Sequence, residues 1–415
     1  MKKFLQQTAL AAGLMAIGFG VHAQTITLKV HHFLGPQSIQ HTTMLGDWCK
    51  NIAKDSNNRL QCQIFPAMQL GGTPPQLYDQ AKDGVADVVW TVAGYSAGRF
   101  AKTQVFELPF TMTNAGATSR AAWDFVQKHA MDEHKDVKLL AVHVHGPGVI
   151  FTRDKPITKM EDFKGMKMRA PTANVTKMLA KMGATPVGMP VPAVSEALSK
   201  GVIDGAVIPY EVAPGLKVHE LTKFSAETDK SYPALYTTVF VVPMNKAKYE
   251  SLPADLKAVI DKNSGREFSA FLGSTQEGND VPGRKIFADT KTQTISVIPP
   301  SELARWKKAT DEQDNAVRFA LVIGILGPEL RRHLGQTGIA CGAFQRFNLA
   351  EYRGPCLGPA VQADRAAHEI AHLPCRIESV VFHEGIAVAV GINLKAFGLR
   401  QGRVIARDRI PRAVH

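Results

Sequence analysis

Residues 137–153 form a largely apolar, valine-rich run. It is too long for one ordinary strand, since most strands have five or six residues. A strand that leaves one sheet and enters a second accounts for the length. Residues 236–245 are another run of the same kind. Two crossings that share a hinge divide a chain into two lobes with a cleft between them.

The flanking segments show what each lobe is built from. Residues 25–33 alternate apolar and polar side chains as a half-buried strand does, and Gly35 and Pro36 stop it. Helical spacing follows over 41–53, then a strand over 60–65, a helix over 75–84 and a strand over 85–92. The pattern recurs between the crossings, with strands at 166–170, 184–189 and 205–208 and helices at 174–182 and 194–200. Such alternation predicts an α/β fold of parallel sheets with helices on both faces. It places a ligand beyond the carboxyl ends of the strands, near His32, Phe33 and Trp90. After the second crossing, 253–272 continue as one long helical pattern, 292–299 as an edge strand, and 301–316 as a helix capped by Ser301.

Arg169 closes a short alternating strand within KGMKMRAP, two residues before Pro171. A guanidinium is planar, always charged and forked, which suits bidentate capture of a carboxylate. From its immediate neighbours alone, Arg169 is either such a ligand clamp or a surface arginine at a strand end.

The chain starts with Lys2 and Lys3, an apolar core over 8–21 and small residues up to Ala23, the pattern of a secretory signal peptide. Cleavage is expected after Ala23, with the periplasm as destination; the core is too short for a membrane anchor. The formal net charge of +12 does not come from the body. Removing the leader lysines, and the 13 basic and 7 acidic residues after 317, leaves about +4, with no basic run. Nucleic acid is therefore not an expected partner. In an oxidising compartment Cys49 and Cys62 either bridge the first helix to the next strand or remain two buried thiols.

Residues 148–172 and 201–212, preceded by 65–72 and 94–100, resemble the extracytoplasmic solute receptors of TRAP transporters, and the likeness spans about 25–314. It implies a two-lobed periplasmic binding protein of type II-like, Venus flytrap form, with a long helix backing both lobes. It also implies a small organic acid as ligand, membrane subunits of a TRAP transporter as partners, a monomer, no cofactor, no metal and no enzymatic activity. The arginine matching Arg169 pairs with the ligand carboxylate in that family. The chain divides accordingly into a signal peptide (1–23), a first lobe (24–148 with 243–280), a second lobe (149–242 with 281–316) and a tail (317–415).

Two departures narrow the ligand. Sialic-acid-binding members carry a second arginine where this chain has Val149, and many dicarboxylate- and sialic-acid-binding members carry asparagine where it has Ile208. An unpaired buried polar group costs roughly 1–3 kcal/mol. The departures thus imply a monocarboxylate with an apolar or aromatic remainder, 2-hydroxy and 2-keto acids included. Trp90, Phe33, Phe151, Pro209 and Tyr210 are the expected wall, with His32, Tyr95 or Glu211 as hydrogen-bond partners. Each of these also has a packing or capping role open to it.

The tail differs in composition. Before residue 318 there are 28 lysines and 8 arginines, and from there on 1 lysine and 12 arginines, with Cys341, Cys356 and Cys375. The resembling receptors carry one more helix after the one holding Trp306. A reading frame shifted late in the gene accounts for these features; a fused domain is the alternative. Within the tail, His368 and His372 lie four apart with Glu369 between them and His383 or Glu384 beyond, a spacing that fits a secreted zinc metallohydrolase. Pro374 breaks that helix almost at once.

Overall fold

The computed structural model describes residues 25–311. The expected leader and the tail motif at His368, Glu369 and His372 lie outside them. β1 (Ile26–His31) and β2 (Leu60–Phe65) run parallel in full register from Ile26 opposite Leu60 to His31 opposite Phe65. Between them a π-helical turn, Gln40–Leu45, runs into α1 (Gly46–Asp55), which buries Trp48 and Ile52 against the sheet. Cys49 on α1 and Cys62 on β2 are joined by a disulfide, with Cα atoms 5.7 Å apart.

α2 (Leu77–Lys82) leads to β3 (Val88–Val89) and β4 (Thr91–Val92). Where one strand was expected the ladder is interrupted at Trp90, whose N–H turns to the carbonyl of His31. Both halves nevertheless keep one register on a later strand, with Val88 opposite Met244, Thr91 opposite Val241 and Val92 opposite Phe240. α3 (Ala115–His129) starts at Asn114, whose side chain accepts the N–H of Ala117.

The long apolar run is two strands, β5 (Val137–Val144) and β6 (Val149–Thr152), in two different sheets. The expected crossing is there, but as a break at 145–148, where Pro147 lacks a donor and two glycines sit under close neighbours. A Cβ on Gly148 would lie 1.9 Å from the Tyr236 ring, and one on Gly146 2.0 Å from Asp280 Oδ2.

The second sheet gathers β7 (Lys167–Ala170), α4 (Ala173–Lys181), β8 (Thr185–Gly188), α5 (Val194–Ser199), β9 (Gly205–Ile208) and β10 (Phe224–Thr228). The return crossing takes up the first residues of the run expected for it, and β11 (Val239–Asn245) follows in the first sheet. β11 pairs antiparallel with β5, with a register shift at Pro243, which cannot donate to the ladder. The two crossings are stitched together: Gly148 N donates to Tyr236 O, Thr237 Oγ1 to His145 O, and Thr238 N to His145 Nε2.

The helical pattern after Pro253 is broken rather than continuous. α6 (Ala254–Lys262) ends, Gly265 adopts φ +90° and donates to Leu140 O, and α7 (Arg266–Asp289) begins. α7 packs closely on α3 through Gly273, where a Cβ would meet Ser119 Oγ at 2.3 Å. Near its far end Phe287 lies against Phe151 and Tyr210, so this helix backs both lobes. β12 (Thr294–Ile298) completes the second sheet, ordered β12-β10-β6-β9-β7-β8; the first is ordered β2-β1-β3-β11, with β4 and β5 also on β11. Residues 300–311 are helical; Glu302 and Leu303 donate to Pro299 O, which puts Ser301 in the first turn rather than at the cap.

Candidate functional site

The strand ends of both sheets face a cleft lined by residues of both lobes. Arg169, the third residue of β7, reaches it while only 2% exposed. Its Nε donates to Met189 O and its Nη1 to Val207 O, each at 3.0 Å. These two carbonyls, beyond β8 and on β9, fix the plane of the fork. The guanidinium also interacts with the Tyr95 hydroxyl, and neither backbone bond uses Nη2. Among the described residues no aspartate or glutamate forms an ion pair with Arg169. A buried charge without a counter-ion is unfavourable until an anion joins it.

Stacked rings make one wall. Trp90 lies between Phe33 and Phe240, with ring centroids 4.9 and 4.6 Å away. Its Nε1–H donates to His143 Nε2 at 2.9 Å, which holds the indole in place. Tyr95 packs on Phe33 and its hydroxyl accepts Val191 N–H. Burial raises the Tyr95 pKa, and the nearby Arg169 charge opposes this. Ile208, Pro209 and Val191 supply apolar surface from the second lobe.

His145 and Thr238 join the lining from the crossings. Burial brings the His145 pKa down to about 4, opposed by its backbone hydrogen bond and helped by Arg169. The ring is therefore neutral, with Nδ1–H donating to Gly146 O and Nε2 accepting Thr238 N–H.

Glu211 brings a carboxyl group to the cavity. Its Oε1 accepts Gln40 Nε2 at 3.0 Å and its Oε2 accepts Gln276 Nε2 at 3.3 Å, while its own N–H donates to Asp280 Oδ1 at 2.8 Å. Burial pushes the Glu211 pKa up to about 7 despite the two amide donors.

Of the residues expected around a ligand, Arg169, Trp90, Phe33, Tyr95, Pro209 and Glu211 line this cavity. His32, Phe151 and Tyr210 do not. Both ring nitrogens of His32 are occupied within its own lobe, by Leu34 N–H and by His41. Phe151 is fully buried between Tyr210 and Phe287. The Tyr210 hydroxyl is turned to Glu227 and Ser225. Val149 is likewise absent from the lining, although it pairs with Ile208 across β6 and β9. Gln40, Gln276, His145, Thr238 and Phe240 were not anticipated. Only Phe240 left a trace, as an aromatic in an apolar run.

Among the described residues no group of three or more His, Cys, Asp or Glu side chains could hold a metal. No helix among them is long and apolar enough to cross a membrane.

Two α/β lobes joined by paired crossings and one long helix, with a buried guanidinium facing the cleft between them, define a solute receptor of the periplasmic binding type. The chain belongs to the bacterial extracellular solute-binding protein family 7, whose model matches residues 30–317. It is similar, at 51% identity and a TM-score of 0.69, to a TRAP solute-binding protein from Rhodoferax ferrireducens solved with copurified benzoate; the match covers 76% of this chain and 93% of that one. It is also 46% identical, with a TM-score of 0.69 and 72% and 92% coverage, to a marine-metagenome TRAP solute-binding protein specific for aromatic acids, solved with 3-hydroxybenzoate. The C4-dicarboxylate-binding periplasmic protein DctP of Rhodobacter capsulatus is 23% identical over 71% of this chain and 87% of its own. The protein is thus a periplasmic TRAP receptor for carboxylates, which binds its ligand rather than transforming it. Neither the family nor these relatives support the zinc-hydrolase alternative.

Proposed function

We propose that this receptor captures aromatic monocarboxylates, with benzoate as the simplest, and delivers them as a monomer to the membrane subunits of a TRAP transporter. The observation that carries this reading is the buried, unpaired Arg169 facing the stacked Trp90, Phe33 and Phe240 across one cavity. One carboxylate answers the guanidinium, and a flat apolar body fills the space against the rings. A second carboxylate would be buried without a partner beside Ile208, at a cost of several kcal/mol. Two structural relatives above 45% identity hold benzoate and 3-hydroxybenzoate, which supports the same class. The first lobe then presents Phe33, Trp90 and Tyr95, and the second Arg169, Pro209 and Glu211.

Calorimetric titration with benzoate, succinate and N-acetylneuraminate tests the reading. Benzoate should bind at micromolar or lower Kd, and the other two at least a hundredfold more weakly. Succinate binding as tightly as benzoate would contradict it.

A further inference from the structure

Gln40 and Gln276 come from the π-helical turn and from α7, on opposite sides of Glu211. Gln40 is fully buried, Gln276 is 2% exposed, and both line the cavity. Each gives its amide nitrogen to a Glu211 oxygen. Both amides turn their nitrogen to Glu211, as its ionised form, which only accepts, requires. The consequence falls on the other end of each amide. Gln40 Oε1 and Gln276 Oε1 are buried acceptors with no hydrogen-bond donor.

Resting on the aromatic-acid reading above, we propose that Gln40 and Gln276 form a donor-selective subsite, oriented by Glu211, that recognises a hydroxyl group on the ligand away from its carboxylate. Two orphaned acceptors beside one cavity favour an O–H and disfavour a keto or ether oxygen in the same place. The carboxylate clamp on β7 and the amide pair on the π-helical turn and α7 come from different elements and line one cavity, which makes them separate recognition points. A methyl group of similar size fills the space but leaves both oxygens unpaired. The inference thus narrows the class to hydroxy-substituted aromatic acids and sets hydroxy acids apart from keto acids.

The test is a titration of the whole protein with benzoate, 3- and 4-hydroxybenzoate, and the matching 3- and 4-methylbenzoates, repeated in Gln40→Met and Gln276→Met. At least one hydroxybenzoate should bind about tenfold more tightly than both benzoate and its methyl counterpart, the difference of roughly one buried hydrogen bond. In the variants the ratio of hydroxy- to methylbenzoate affinity, read within each protein, should fall to about twofold or less. The wild-type series stands by itself if a variant does not fold. Hydroxybenzoates no tighter than the methyl isomers, or a preference unchanged in both folded variants, would overturn the subsite while leaving the aromatic-acid reading intact. No binding of any of the five acids would remove that reading and this inference together.

Discussion

The Tyr95 hydroxyl accepts the backbone N–H of Val191 at 2.9 Å, tying a strand end of the first sheet to the loop that follows β8 in the second. Asn174 Nδ2 to Gln104 O and Gln40 to Glu211 span the same cleft. These bonds exist only while the lobes are together, so they add to the stability of the closed form and to nothing in an open one. Tyr95→Phe keeps the ring on Phe33 and leaves Val191 N–H, which is mostly buried, without an acceptor. Benzoate affinity should fall about 5- to 30-fold, mainly through faster release, as stopped-flow displacement would show. An unchanged release rate would mean that this bond plays no part in closure.

Arg169 separates charge from geometry. Arg169→Gln should weaken benzoate at least a hundredfold, because a buried carboxylate without its partner costs roughly 3–5 kcal/mol. Arg169→Lys keeps the charge but loses the planar fork that meets two carbonyls and a bidentate carboxylate together, so a loss above about tenfold is expected. Without ligand, the Arg169→Gln protein should melt no lower than the wild type, since the substitution removes an uncompensated buried charge. Loss of the benzoate-induced rise in Tm with the free-protein Tm retained is the signature to look for.

Much of this frame was legible in the primary structure, and the misses have physical causes. The crossing over 137–153 was readable because no single strand needs so many apolar residues; the position of its break depends on Tyr236 and Asp280, far away in sequence, occupying the space above Gly148 and Gly146. Helix continuity after Pro253 failed on one torsion, that of Gly265. At the site, Trp90 and Phe33 follow from strand-end logic, whereas Arg169 is ambiguous by that logic and is assigned by the family resemblance. His32, Phe151 and Tyr210 sit at the same kind of position, but strand-end logic cannot tell the face turned to the cleft from the face turned to a helix. Gln40 and Gln276 gave no signal, since a glutamine on a helix looks like a solvated position until another element covers it.

The Cys49–Cys62 disulfide closes a short loop, with a sequence separation of 13. Loops of this size restrict the unfolded chain by about 2–4 kcal/mol. Urea unfolding with and without reductant, or of a Cys49→Ser/Cys62→Ser protein, should show a loss of that order while benzoate binding persists in the folded protein. Coincident unfolding curves would show that the bridge contributes nothing.

Buried carboxyl groups set the pH dependence of stability. Burial pushes Asp280 up to about 8, Glu211 and Glu277 add to the rise, and the N–H groups of Glu211 and Tyr210 oppose it. Glu211 and Glu107 are each raised to about 7, in both cases chiefly by burial. A folded-state pKa above the unfolded value means that the native protein holds protons the unfolded chain has released. This contribution is fully present below about pH 4 and is lost as pH rises toward 8, by up to about 1.4 kcal/mol per pH unit for each fully linked group. The buried imidazoles of His32, His134, His143 and His145, held down to about 3 to 4, add stability as pH rises to about 6.5, so urea midpoints should fall only beyond that, from pH 7 to 8. Asp280→Asn, which keeps an oxygen for Glu211 N–H, should flatten that slope in part. A slope that rises, or one identical in the variant, would refute the assignment.

A crystal structure of the protein with benzoate tests the central claim most directly. The carboxylate oxygens should lie about 3 Å from the guanidinium nitrogens of Arg169, with the ring against Trp90 and Phe240. A benzoate bound in the cleft with its carboxylate on any other group, and Arg169 still unpaired, would contradict the account.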